Sequence, residues 1–302
     1  MSTEDKDICG LEDWVPIPVN DSTTSITDLA VAVSNIPFGI FAFLTNLAII
    51  VTVIKTPSLQ RSSNILLCNL ATANCLAGVT VQPIFAVWWI NVQYVQNTCS
   101  SQQQLSTAFS VSNILMTGLS FTNLAVISAD RCYAVSRPFA HRAKVTKEGV
   151  TKIAVTTSLG WTALTLLCML ILPSNLGFFI MLSLGILVNT LLIGNHIGML
   201  LAIRKHNRQV ADAVSAPQQQ LSVVLKREKK VAMDMFIVLV ILVICVLPKL
   251  TVTIFYQSLG SLYNSLYLWS TTFSLLNSCI NPVFYLWRYS DLRDSLRSMI
   301  YY

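Results

Sequence analysis

The chain has 302 residues, 54% of them hydrophobic and only 11% charged, against roughly 25% charged in an ordinary soluble domain. That composition excludes a soluble globular fold and predicts a polytopic membrane protein. The formal charge of +6 arises from 20 Lys and Arg against 14 Asp and Glu, and the placement of the basic residues argues against nucleic-acid binding.

Runs of about 20 apolar residues predict seven spans, near Val31 to Ile54, Asn64 to Trp89, Gln102 to Tyr133, Val150 to Leu172, Leu176 to Ile203, Val231 to Tyr256 and Leu262 to Trp287. The fold class expected is an all-α seven-transmembrane helix bundle plus a short amphipathic cytoplasmic helix. Its domains are an extracellular tail over 1–30, a membrane domain over 31–289, and the amphipathic helix with the C-terminal tail over 290–302. Eighteen of the 20 basic residues fall in alternate connections and the C-terminal tail, leaving only Lys6 and Lys249. By the positive-inside rule the N-terminus is expected outside, the C-terminus in the cytosol, and the basic collar against membrane lipid. No nucleic-acid partner is implied.

The external segment Met1 to Asp28 has seven acidic residues and the sequon Asn20-Asp21-Ser22. Asn20 is a candidate glycosylation site; a plain solvated leader is the other reading. No cleavable signal peptide is visible there, so the first span is expected to act as the insertion signal. Cys9 and Cys99 are the two extracellular thiols, and a bridge between them is allowed without being required.

Span 1 contains the amide Asn46, which must face other helices to find a hydrogen-bond partner. Span 2 has amides at Asn64, Asn69 and Asn74. Span 3 carries Asn113, Thr117, Ser120 and Asn123 and closes on Asp130-Arg131-Cys132-Tyr133, where two charges predict a membrane boundary. Asn113 and Arg131 are five helical turns apart, so one face has polar groups near both ends. Spans 4 and 5 are joined by very little. His196, near the end of span 5, is most simply an interfacial side chain. The connection His206 to Lys226 is Gln-rich and expected to be flexible, leading into Lys226-Arg227-Glu228-Lys229-Lys230. Pro248 falls inside span 6, where it kinks a helix and frees a carbonyl. Span 7 ends Asn277-Ser278-Cys279-Ile280-Asn281-Pro282-Val283-Phe284-Tyr285. Ser290-Asp291 then offers an N-cap for the amphipathic helix.

These residues together resemble the rhodopsin-like, class A G-protein-coupled receptors over about residues 31 to 300. The matching features are Asn46, Leu70-Ala71-x-x-Asn74, Asp130-Arg131-Cys132, Trp161, Cys245-x-x-Pro248 and Asn281-Pro282-x-x-Tyr285, in order and each in the corresponding span. The resemblance implies that Arg131 pairs with Asp130 and with Glu228, that Pro248 is a hinge, and that Tyr285 turns inward in the open state. Outward movement of span 6 would then admit a heterotrimeric G protein. Simple interfacial anchoring is the other reading of Asp130 and Arg131.

The departures also carry expectations. Where the family usually has an aspartate this chain has Asn74, so the group corresponding to a sodium site, Asn74 with Ser120, Asn277, Ser278 and Asn281, is expected to be a neutral polar network joined by Asn46. Val246 replaces a bulky tryptophan, and the span 5 proline and the cysteine at the head of span 3 are absent. A minimal second outer loop without that disulfide is most similar to the melanocortin receptors and their lipid and adenosine relatives.

No Asp or Glu falls in the outer half of any predicted span, and Asn113 stands where amine receptors keep an aspartate, so a cationic amine is disfavoured as ligand. An opsin role is disfavoured too, because the chromophore lysine would fall at Leu275. Lys249 is the sole charge there. One reading has it pair with a carboxylate or phosphate on an extracellular ligand, with Asn113, Thr117 and Thr253 adding hydrogen bonds; the other has it snorkel to the surface. No cofactor, metal cluster or enzymatic constellation is expected. A transporter or channel is the alternative class, though internal repeats and broken midplane helices are not visible.

Overall fold

Hydrocarbon offers no hydrogen-bond partner to a peptide group, so a membrane-spanning chain must satisfy its backbone internally. The computed structural model describes residues 22–94, 99–211, 217–259 and 262–301, and the regular structure among them is entirely helical. The helices are α1 (Ser22–Lys55), α2 (Ser62–Val79), α3 (Val81–Tyr94), α4 (Cys99–Ser136), α5 (Pro138–Lys144), α6 (Lys147–Leu170) and α7 (Ser174–Ala211). After these come α8 (Pro217–Ile254), α9 (Tyr256–Leu259), α10 (Tyr263–Leu275), α11 (Asn277–Arg288) and α12 (Ser290–Tyr301).

Six of the predicted spans are helical stretches long and apolar enough to cross a membrane. The seventh is present in two pieces, α10 and α11, of 13 and 12 residues. The fold is the all-α seven-transmembrane bundle expected, with α12 following it. Large apolar side chains such as Leu159, Ile186 and Leu201 stand more than half exposed, which suits surfaces that face lipid tails.

Three boundaries differ from the sequence reading. α1 begins at Ser22, nine residues before the predicted start, and so takes in Asp28. The connection expected to be flexible is mostly helix, since α7 continues to Ala211 and α8 starts at Pro217. Its Gln, Lys, Arg and Leu residues are good helix formers, and proline suits a first helical position. Ser290 is the first residue of α12 rather than its cap.

The chain divides into two units. The first comprises Met1–Ala48, Thr72–Met116 and Val240–Trp287. Its core is aromatic: Phe85, Trp88, Trp89 and Phe109 are buried together with Val31, Ala32, Tyr263 and Tyr267. The Trp88 and Phe109 rings stack at 5.3 Å, and Trp88 meets Trp89 edge-on at 6.1 Å. α1 and α2 approach closely where two glycines meet; a Cβ on Gly39 would lie 2.5 Å from the Gly78 carbonyl oxygen.

Prolines within this unit decide where side chains must lend donors. Pro282 has no N–H, so the Ser278 carbonyl four residues earlier loses its helical partner. Asn46 of α1 supplies one, its Nδ2 donating to Ser278 O at 3.0 Å. At the break between α10 and α11, the Cys279 amide donates to Leu276 O. The Leu275 carbonyl instead accepts from Gln82 Nε2 at 3.2 Å. About three turns earlier in α1 than Asn46, Asn35 Nδ2 donates to Thr272 Oγ1 at 2.9 Å.

The second unit comprises Ile49–Ala71, Thr117–Leu239 and Arg288–Tyr302. Asn69 of α2 donates to Asn123 Oδ1 of α4 at 2.6 Å and to Ser158 Oγ of α6 at 3.0 Å, joining three helices through one amide. His196 is buried, contrary to the interfacial reading: its Nδ1 lies 3.1 Å from Ser128 Oγ and 2.8 Å from Leu192 O. The short step from α6 to α7 requires Gly177, where a Cβ would stand 2.0 Å from the Cys168 carbonyl.

Trp161 lies flat against the α4 backbone at Gly118, where a Cβ would meet the indole at 1.9 Å. Gly118→Ala is therefore expected to destabilise the protein by about 1–3 kcal/mol through overpacking. Gly160→Ala has nothing within 4 Å, and better helix propensity should leave it neutral or more stable by up to about 1 kcal/mol. Thermal unfolding of the two variants in detergent measures the contrast; equal midpoints would refute it.

Candidate functional site

In the second unit α4 ends on the predicted charged pair. Arg131 Nε donates to Asp130 Oδ2 at 3.0 Å and its Nη2 adds a second bond to the same oxygen. The other Asp130 oxygen lies 2.8 Å from Nε2 of His141, a partner the sequence reading did not include. His141 comes from α5, the short helix begun by Pro138, and its ring stands 5.6 Å from that of Tyr133. All three side chains keep some exposure, so solvent screens them and each contact contributes modestly. Glu228, the expected second partner of Arg131, falls in α8, but its side chain lies outside the described residues. Asn20 and Cys9 lie outside them as well, as does the side chain of Cys99.

The acid that α8 does present in this unit is Asp234, whose side chain is 1% exposed and paired with Arg288, the last residue of α11. Stranding such a buried charge by removing its partner costs about 3–5 kcal/mol. Tyr289 follows directly; burial, and next the Asp234 carboxylate, push its phenol up to about 12, while Arg131 and Arg288 pull the other way. The pair was absent from the sequence reading. Its signal was a lone acid inside one apolar run and a lone arginine at the close of another, a combination that hydrocarbon tolerates only as a pair.

The first unit holds the other charged feature. The Lys249 ammonium stands 5.5 Å from the ring centroid of Phe109 and 6.0 Å from that of Tyr267. The lysine is thus turned onto two buried ring faces. Such contacts are worth roughly 0.5–2 kcal/mol, less than the several kcal/mol that removing an ammonium from water costs. No carboxylate pairs with Lys249 among the described residues. Asn113, half-buried, lies one turn beyond Phe109 on the same face of α4. Thr117 belongs to the second unit. Thr253 donates its hydroxyl to the Lys249 carbonyl at 2.9 Å, which leaves that oxygen as an acceptor only.

Asp28 revises the count of acids. It is 5% exposed on α1, accepts from Ser265 Oγ at 3.4 Å, and its Oδ1 has no partner among the described residues. The helix begins before the apolar run does, which is why a hydropathy scan passed it over.

The expected polar network is buried throughout: Asn46, Asn74, Ser120, Asn277, Ser278 and Asn281 are each no more than 8% exposed. Ser120 lies in the second unit and the rest in the first, where Asn46 and the Ser278 backbone are joined. Pro248 sits within α8; Asn281, Pro282 and Tyr285 are buried on α11.

Residues 45–177 match the family model described as 7 transmembrane receptor (rhodopsin family). The chain is similar to Trace amine-associated receptor 4 of Mus musculus, 24% identical over 86% of this chain and 82% of the relative. It is 23% identical to Cannabinoid receptor 1 of Xenopus laevis over 98% of this chain and 68% of that one. Dopamine receptor 2 of Drosophila melanogaster is 32% identical over a shorter stretch, 35% of this chain and 20% of the relative. With seven helical spans, Asp130-Arg131 near the end of the third and Asn281-Pro282-x-x-Tyr285 in the seventh, this multi-pass membrane protein is similar to the rhodopsin family of seven-transmembrane receptors.

Proposed function

We propose that this receptor stands in the plasma membrane with its N-terminus outside, binds an anionic extracellular ligand at Lys249, and activates a heterotrimeric G protein when the sixth span moves outward. The supporting observation is the ammonium of a half-buried lysine held by two aromatic faces, with no carboxylate to balance it among the described residues. A ligand carboxylate or phosphate supplies the missing charge, and Phe109 and Tyr267 accept an apolar or flat body beside it. Asn113 contributes polar contact from the same face of α4. The switch roles that the family resemblance implies fall to Asp130, Arg131 and Glu228 in the second unit and to Pro248, Asn281, Pro282 and Tyr285 in the first, and membrane lipids meet the basic collar.

A second reading rests on Asp28. Its buried carboxylate has one long hydrogen bond and an unpartnered oxygen, chemistry that an ammonium ligand would complete, and two relatives carry names that refer to amines. Lys249→Gln separates the two: it abolishes the response to an anionic agonist while surface expression stays intact. Asp28→Asn leaves that response unchanged. The reverse pattern, a lost response in Asp28→Asn alone, would replace the first reading with the second.

Asn74 is a fully buried neutral amide in place of an acid, and a hard cation without an anionic ligand binds weakly. Agonist affinity is accordingly expected to be insensitive to sodium when ionic strength is held constant; a several-fold loss between potassium and sodium buffers would sink this. The receptor and transporter classes part in reconstituted vesicles. Ligand-driven nucleotide exchange on an added G protein is the expected outcome, and ion flux or solute uptake without exchange would favour the alternative.

A further inference from the structure

A buried ion pair resists separation of the helices it joins, because pulling them apart strands both charges in a medium that cannot solvate them. Asp234 of α8 and Arg288 at the end of α11 make such a pair, with the carboxylate almost fully enclosed and the guanidinium 30% exposed. Arg131 is engaged elsewhere: its guanidinium rests on Asp130, whose second oxygen His141 holds from α5. At this end of the second unit, then, the described charges close α4 onto its own following helix and α8 onto the end of α11. Arg288 is followed by Tyr289 and then by α12, so the same pair ties α8 to the start of the amphipathic helix. Tyr289 lies within electrostatic reach of both Asp234 and Arg131.

We propose that the Asp234–Arg288 ion pair is a latch that holds the sixth span closed in this receptor, and that its rupture frees the sixth span and α12 to move. This rests on the reading of the sixth span as the moving element. Asp234 and Arg288 are positioning residues in it: they set the resting place of α8 and touch neither ligand nor transducer. The latch has a directional consequence, since any agent that draws Arg288 and α12 away from α8 opens the bundle from the seventh span.

The test uses the full chain in lipid nanodiscs with nitroxide labels at Arg142→Cys and Met233→Cys, both exposed positions of the second unit, and reactive native cysteines replaced by serine. Asp234→Asn and Arg288→Gln should each shift the inter-label distance distribution to longer values. The double variant should shift it no further than either single one, and Arg288→Lys should stay at the wild-type distribution. If Asp234→Asn fails to fold, the partly exposed Arg288→Gln against Arg288→Lys carries the comparison. Unchanged distributions in the charge-removing variants, or shifts that add in the double variant, overturn the latch. Agonist-free nucleotide exchange on an added G protein is measured in parallel and is expected to rise several-fold in the same variants. A distance shift without any exchange supports the latch while counting against the G-protein reading.

Discussion

Every helix carbonyl that a proline releases inside hydrocarbon must find another donor, and that requirement ties the first unit together. Pro282 leaves the Ser278 carbonyl open, and the Asn46 amide closes it. The break at Leu276 leaves the Leu275 carbonyl to Gln82. Without these two amides the seventh span would expose backbone acceptors to lipid or to an apolar core, at several kcal/mol each. The amides in the first and second spans are therefore consequences of the irregular seventh, and the irregular seventh is what brings Asn281 and Tyr285 to buried positions on α11.

Charge obeys the same constraint with larger energies. Among the described residues, the ion pairs all lie in the second unit, near the predicted membrane boundary, where water and partners are both within reach. The first unit holds a carboxylate and an ammonium whose described contacts are neutral: a serine for Asp28, two aromatic rings for Lys249. In the second unit the buried acid Asp234 thus has a basic partner, whereas in the first Asp28 and Lys249 meet only neutral groups among the described residues. That asymmetry is what a receptor requires if a ligand is to bias one of two states by completing interactions the protein leaves incomplete.

The motifs of the family were readable because each is local. Asp130-Arg131, Asn281-Pro282-x-x-Tyr285 and Pro248 need only their own helix to be recognised, and hydropathy placed that helix. Asp28 escaped because the helix carrying it starts in a polar segment, so length of apolar run understated length of helix. The Gln-rich connection was misread for a related reason: low hydropathy suggested flexibility, whereas its residues favour helix. His196 was assigned to the interface by its position in the span, yet Ser128 and the Leu192 carbonyl satisfy it in the interior.

Alone, the sequence determined the number of spans, their order, the topological asymmetry of charge and the likeness to a family, because hydrophobic length and local motifs depend only on chain neighbours. Partnership was decided by the tertiary structure. Which oxygen of Asp130 faces His141, that Asp234 rather than another acid meets Arg288, and that Lys249 turns onto Phe109 and Tyr267 all depend on which helix faces which. Residues 54 positions apart, such as Asp234 and Arg288, become neighbours only when the helices between them have packed, and no periodicity within either helix encodes the distance that closes them.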